Sequence, residues 1–475
     1  MSTQAATPAE APGPPRGGRV VKIVNPATGE TLREVAEDGP EALARRVEKA
    51  RRAQPEWART PLETRKAALR SFAAIVDKRK EELATLLTTE MGKPLRQSRH
   101  ELIALQSRIK FFVENVGAAV ADEVVHDERG WRERISYEPL GLVANISAWN
   151  YPYFVGSNVF VPALLAGNAV LYKPSEFATL TGLAITEAMH EAGVIPAAFA
   201  PAVGGGEVGR ALMEQPLDAV FFTGSYATGR KIAEAAARQL MKVQLELGGK
   251  DPVYVADDVD VPATARGVAD GAFYNTGQSC CSVERIYVHE RIHDVFVDAF
   301  VETVKSFVVG DPLDESTYIG PVARAVHLRV LEEQVADARS KGARVLTGGT
   351  RLDRQGFYFA PTVLVDVTHE MALMRDETFG PLIGIQKVKD DDQALALMND
   401  TEYGLTAGVY ARDEARAQRL LAGVNSGSAY WNCCDRVSPR LPWTGRRHSG
   451  VGVTLGRAGI RAFVQPKAWH LKSPR

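Results

Sequence analysis

Cysteine is scarce in this 475-residue chain: four occur, as the adjacent pairs Cys280-Cys281 and Cys433-Cys434. Neighbouring cysteines rarely bridge each other, so no disulfide framework is visible, and a reducing compartment, the cytoplasm, is expected. Charge of one sign is lacking too. Against 57 Lys and Arg stand 58 Asp and Glu, a formal net charge of -1, without the basic excess that nucleic acid demands of a partner. No apolar run approaches the roughly 20 residues that cross a bilayer, so no membrane anchor is expected. The stretch from Met1 to Gly18 is rich in Ala, Pro and Gly and has no apolar core, which argues against a signal peptide and reads as a disordered tail.

What the chain has is length for several cores. A prior of roughly 150 residues per domain points to about three units, and 45% hydrophobic with 24% charged residues describes a globular protein. Ordered sequence is expected from Val20, where "VVKIVNPATGETLREV" offers two short β-rich runs joined by Asn25, Pro26 and Gly29, a hairpin. From about Pro40 to Val120, residues such as Leu69, Phe72, Ala73 and Val76 recur at three- and four-residue intervals and predict packing helices. After Tyr137, "LGLVANIS", "AVLYKP", "DAVFFTGS" and "PVYVAD" alternate with helical stretches, and "RIYVHE", "ARVLTGG", "PTVLVDV" and "GIQKV" repeat the rhythm after Cys280. That alternation predicts an α/β fold with parallel sheets.

Three signals tempt and are weighed against blander readings. Gly204, Gly206 and Gly209 spell G-x-G-x-x-G, but the acid expected about 20 residues on is missing, since Asp218 follows too soon; a glycine-rich loop is the better reading. His289 and His293 match H-E-x-x-H, yet they straddle a strand-to-helix turn, so two solvated histidines are expected and no metal. Cys433 and Cys434 follow Tyr430-Trp431, and a cysteine in such company packs or lines a pocket more often than it reacts.

The chemistry concentrates elsewhere. "FYNTGQSCCSVERIYV" sets Cys280 just after the turn-prone Gly277-Gln278-Ser279, and well upstream Glu246 sits in "LELGGK", where Gly248 and Gly249 permit close backbone approach. A thiol on a tight turn and a carboxylate make a nucleophile and a base. A free thiol titrates at roughly 8.5, so the thiolate fraction near neutrality is small without help.

With these residues in place, the chain resembles the aldehyde dehydrogenase superfamily from about Val24 to Leu471. The matching motifs, in order, are "NPATGE" (25–30), "WNYP" (149–152), "KPSE" (173–176), "FTGS" (222–225), "LELGGK" (245–250), "GQSC" (277–280) and "ETFGP" (377–381). The resemblance implies a variant Rossmann cofactor domain, an α/β catalytic domain and a β oligomerisation arm. It implies that Cys280, rather than Cys281, attacks an aldehyde, that Glu246 activates the thiol, the hydrolytic water or both, and that the Asn150 amide and the Cys280 backbone N–H hold the oxyanion. A thiohemiacetal and then a thioester on Cys280 precede release of a carboxylic acid. The retained carboxylate argues against the CoA-acylating branch. For NAD or NADP, the resemblance implicates Ser147, Trp149, Lys173, Ser175, Glu176, Gly206, Phe222, Gly224, Ser225, Leu247, Glu377 and Phe379. Glu176 would accept a bond from a ribose 2′-hydroxyl and repel a 2′-phosphate, favouring NAD, while Arg210 and Lys231 could receive that phosphate.

One stretch departs from the pattern. Most relatives carry "PFGG-x-K-x-SG" where this chain reads "PWTGRRHSG" from Pro442. The preceding loop, with Tyr151, Tyr153, Phe154, Cys281 and Cys434, is expected to line the substrate pocket. Arg436 or Arg440 could meet an acidic substrate tail, although a surface arginine is the better default. The resemblance assigns 19–122, 139–245 and 443–458 to cofactor binding, 246–442 to catalysis, and 123–138 with 459–475 to assembly of a homodimer or homotetramer. Rival readings are a semialdehyde dehydrogenase for acidic substrates, a cysteine hydrolase acting on esters, and a folded protein without catalysis.

Overall fold

The computed structural model describes residues 18–473, so the tail assigned to residues 1–18 falls almost wholly outside the described residues. Val20–Val24 pairs antiparallel with Thr31–Ala36, as the turn residues between them predict. Four helices follow: Pro40–Arg59, Leu62–Lys78, Lys80–Met91 and Leu95–Ala119. The last buries Leu102, Leu105, Ile109, Phe112, Val113 and Val116, a continuous apolar face at helical spacing, against the first sheet's core.

That sheet has six strands, ordered Gly450–Val451, Lys242–Glu246, Ala219–Thr223, Leu142–Ile146, Ala169–Lys173 and Phe199–Pro201. All neighbours are parallel except the first pair, in which Gly450 faces Glu246 and Val451 faces Leu245. Leu142–Ile146 and Ala169–Lys173 are buried at every position because helices cover both faces, which is why they read as unbroken apolar runs. Ile146, Lys173, Thr223 and Glu246 end adjacent strands at one end of the sheet, with Ile146 opposite Lys173 and Phe222, and Thr223 opposite Glu246. In an open parallel sheet, ligands bind outside these carboxyl ends.

A second sheet of seven strands runs Arg344–Thr347, Thr362–Val365, Leu382–Val388, Arg285–His289, Pro252–Val255, Thr406–Tyr410 and Ser428–Trp431, parallel but for its first pair. Val464–Lys472, Trp131–Pro139 and Glu123–Glu128 form a separate antiparallel sheet of three strands. The architecture is α/β. No helix among the described residues is long and apolar enough to cross a membrane.

Candidate active site

Between the two large sheets lies a cleft of about 620 Å³, and Cys280 opens onto it. The chain reaches Cys280 through three residues in the left-handed region: Asn275 (φ 54°), Thr276 (φ 59°) and Gly277 (φ 70°). That conformation strains a β-branched threonine, so the surroundings must hold it. They do: Gln97 Oε1 accepts from Asn275 N (2.8 Å), and Thr276 Oγ1 accepts from Gly320 N (3.1 Å). Half-buried Cys280 thus sits on a rigid turn, and its backbone N–H meets no acceptor among the described residues.

Asn150 follows the strand Leu142–Ile146 and is 3% exposed. Its Nδ2 donates to Gln278 O (3.2 Å), while Asn275 Nδ2 donates to Asn150 O (3.3 Å), which fixes the amide beside the Cys280 turn. The glycines of "LELGGK" fit between the other motifs. A Cβ on Gly249 would lie 2.7 Å from Cys280 O, and one on Gly248 would lie 2.5 Å from Glu377 Oε2. Beneath them Lys250 and Glu284 form a buried ion pair at 2.6 Å, and Glu284 also accepts from Thr378 N and Phe379 N, both at 3.0 Å.

Glu246 ends its strand buried beside the cleft wall, and it is not among the cleft-lining residues, although its neighbour Leu247 is. Oε1 accepts from Gln244 Nε2 (2.9 Å), and Oε2 is buried without a hydrogen-bond partner. Burial pushes this carboxyl well above the usual range, against the lowering effect of bonds from Thr454, Trp443 and Gln244. Glu377, held by Gly249 N (3.0 Å), is pushed up to about 8, first by burial and then by the nearby Glu284 charge.

Every residue that the resemblance implicated in cofactor binding lines this one cleft. Ser147 and Trp149 follow one strand; Lys173, Ser175 and Glu176 end the next; Gly206 starts the helix Gly206–Met213; Phe222, Gly224 and Ser225 lead into the helix Tyr226–Arg238; and Leu247, Glu377 and Phe379 close the far wall. Ser225 caps its helix by accepting from Thr228 N. The Trp149 and Phe379 rings meet edge-on at 5.5 Å. A Cβ at Gly206 would meet nothing within 4 Å, so that wall is bare backbone facing open space.

An aldehyde dehydrogenase family model matches residues 14–469. The chain belongs to the aldehyde dehydrogenase family. Aminoaldehyde dehydrogenase 1, peroxisomal, of Malus domestica is 35% identical over 94% of this chain and 91% of its own. The succinate-semialdehyde dehydrogenase [NADP(+)] of Deinococcus radiodurans is 35% identical over 95% of each chain. The crystal structure of PnpE in complex with nicotinamide adenine dinucleotide superposes with a TM-score of 0.93 at 32% identity, covering 96% of this chain and 95% of that one. The reaction class is NAD(P)-dependent oxidation of an aldehyde.

For an aldehyde dehydrogenase of this sequence, three pocket assignments need correction: Tyr153, Cys281 and Cys434, all buried and none lining the cleft. Tyr153 is fully buried in the first core, because the helix Pro152–Leu165 turns it inward, and it does not line the cleft. Cys434 packs in the second sheet's core against Val283 and Gly271, its Sγ 3.4 Å from Tyr410 Oη, and burial pushes its thiol up to about 12. Half-buried Tyr151 and Phe154 do stack, at 6.1 Å, backed by Lys93 (3.8 Å) and Arg108 (4.3 Å). Cys281 is buried and donates to Asp435 Oδ1 (3.0 Å), which also accepts from Ser279 Oγ (3.1 Å). His289 and His293 do end a strand and begin a helix, but both are buried rather than solvated; His293 Nδ1 lies 2.7 Å from Asp294, and the described residues hold no cluster fit for a metal. Sequence reasoning missed Glu284, Arg324, His327 and Asp435. Their roles depend on tertiary contacts that no local spacing announces.

Proposed function

We propose that this aldehyde dehydrogenase works through Cys280, Asn150 and Glu246, and takes its dinucleotide along the 620 Å³ cleft. The carrying observation is that Cys280 and Asn150 open onto the same cleft as every candidate cofactor residue. Cys280 Sγ, once its proton has passed to solvent or to the Glu246 carboxylate and thence to solvent, attacks the aldehyde carbon as the thiolate, and the oxyanion is met by Asn150 Nδ2–H and the unpartnered Cys280 N–H. When bound, NAD(P) supplies the hydride acceptor. Loss of hydride from the thiohemiacetal leaves a thioester on Cys280. Glu246, once turned toward the cleft and deprotonated, takes a proton from the water that releases the acid and frees the thiolate.

The residues fit the cofactor. Lys173 and Glu176, within 4.0 Å of each other, present a donor and an acceptor for ribose hydroxyls. The first N–H groups of the helix Tyr226–Arg238 suit phosphate oxygens. Glu176 favours NAD. A second reading, NADP use, is favoured by Lys231, exposed at the cleft and without an ion pair among the described residues; Arg210 is already bound to Glu207 at 2.9 and 3.0 Å.

Four free thiols suit the cytoplasm. The three-stranded sheet, with Val124, Val125, Trp131 and Leu471 exposed, supports a homodimer or homotetramer built on segments 123–138 and 459–475. The experiment is reduced-nicotinamide absorbance with NAD and with NADP across aliphatic, aromatic, amino- and carboxy-aldehydes, alongside ester hydrolysis. Turnover of an aldehyde supports the reading and ranks substrates. Ester hydrolysis alone would move the assignment to a cysteine hydrolase, and silence with a folded protein would move it to a non-catalytic one.

A further inference from the structure

The cofactor cleft is lined by four cationic side chains, and one of them buries an Nε without a partner among the described residues. Lys173, Arg210, Lys231 and Arg324 line it. Lys173 has Glu176 and Arg210 has Glu207 as partners, and Lys231 is exposed to solvent. Arg324 differs from all three. It is half-buried, makes no ion pair or side-chain hydrogen bond among the described residues, and its Nε is buried without a partner. Glu377, which also lines the cleft, is pushed up to about 8 by burial and compensates little near neutrality.

A guanidinium whose buried Nε has no partner leaves a polar group unsatisfied, whereas one that meets phosphate gains paired, charge-assisted bonds. The surroundings of Arg324 locate that anion. Its guanidinium lies 4.6 Å over the Phe177 ring. Stacking occupies the face of the fork and leaves its in-plane N–H groups free. Phe177 directly follows Glu176, so this contact ties Arg324 to the adenosine end of the cleft. On the other side, Arg324 directly precedes the helix Ala325–Ser340, whose His327 Nε2 donates to Thr378 O (2.9 Å), between Glu377 and Phe379 at the nicotinamide end. Arg324 therefore stands between the two ends.

We propose that Arg324 is a cofactor-binding residue that clamps the pyrophosphate of the dinucleotide from the side opposite Ser225. This rests on the cofactor reading above. The pyrophosphate is common to NAD and NADP, so the clamp adds affinity for both without choosing between them. Phe177 holds the guanidinium in place before the ligand arrives, which limits the entropy lost on binding.

The test is direct titration of wild type, Arg324→Ala, Arg324→Gln and Arg324→Lys with NADH, NADPH and ADP-ribose, followed by protein fluorescence at low and high salt. Thermal melting of each variant checks folding. The expected result is a loss of about tenfold or more in affinity for all three ligands in the Ala and Gln variants, with a weaker salt dependence, and partial recovery in the Lys variant, which keeps charge but not the fork. Unchanged affinities in folded variants would overturn the clamp. Loss confined to NADPH would overturn it as well, by moving the contact to the 2′-phosphate. A wild type that binds none of the three would sink the cofactor reading and the clamp with it, and that failure shows before any variant is made.

Discussion

Cys280 and Cys281 are neighbours in sequence and opposites in surroundings. The first is half-buried on the cleft; the second is sealed and donates to Asp435. Cys280→Ala is expected to abolish dehydrogenase turnover, and Cys281→Ala to spare much of it, read as reduced-nicotinamide absorbance under saturating cofactor; the reverse pattern would overturn the assignment. Glu246 must lose its proton to act as a base, and burial resists that loss. The carboxylate fraction grows with pH, so turnover should climb on the alkaline side of the ordinary carboxylate range. Glu246→Gln should flatten that limb and cost on the order of 10²–10⁴-fold in kcat. For Glu377, pushed up to about 8, Gln imitates the protonated acid. Wild type and Glu377→Gln should bind NADH similarly near about pH 6.5 and diverge near about pH 9, where only the wild type gains a carboxylate acceptor. Equal affinities at both would show that this carboxyl does not touch the ribose.

At the scale of elements, backbone meets backbone around the thiol. A Cβ on Gly277, already at φ 70°, would collide with Gly380 O. Gly277→Ala should therefore lower stability by roughly 1–3 kcal/mol, seen as a lower melting temperature, and should depress turnover by shifting Cys280. The same contacts explain what the sequence disclosed and what it hid. Strands such as Leu142–Ile146 were legible because burial on both faces demands unbroken apolar runs, and the motif glycines because close approach demands them. Tyr153 was misread because the direction a residue faces just inside a helix is set by its packing, not by its place in a motif. Glu284 was invisible because a buried glutamate in "SVER" declares nothing until Lys250 and the backbone of Thr378 and Phe379 arrive around it. The histidines at 289 and 293 were placed correctly on their elements but judged wrongly for exposure, since burial depends on neighbours far along the chain.

For the whole molecule, assembly is the open expectation. The edge strand Glu123–Glu128 exposes Val124 and Val125, at 57% and 58%. If this sheet joins subunits, Val124→Lys should shift the protein to a smaller sedimenting species with its circular dichroism intact; an unchanged species would place the interface elsewhere. The pairing of Gly450–Val451 with Leu245–Glu246 bears on how the molecule is made. Glu246 receives Thr454 Oγ1 at 3.4 Å, and Leu247 N donates to Ser449 O at 3.0 Å. Thr454 follows Glu246 by 208 positions, so these partners leave the ribosome well after Cys280 and Asn150. Glu246 is thus enclosed only once Ser449 to Thr454 have been made. A prematurely stopped chain can carry Cys280 and Asn150 without the setting of Glu246, so activity that depends on Glu246 becomes a report that translation has passed Thr454.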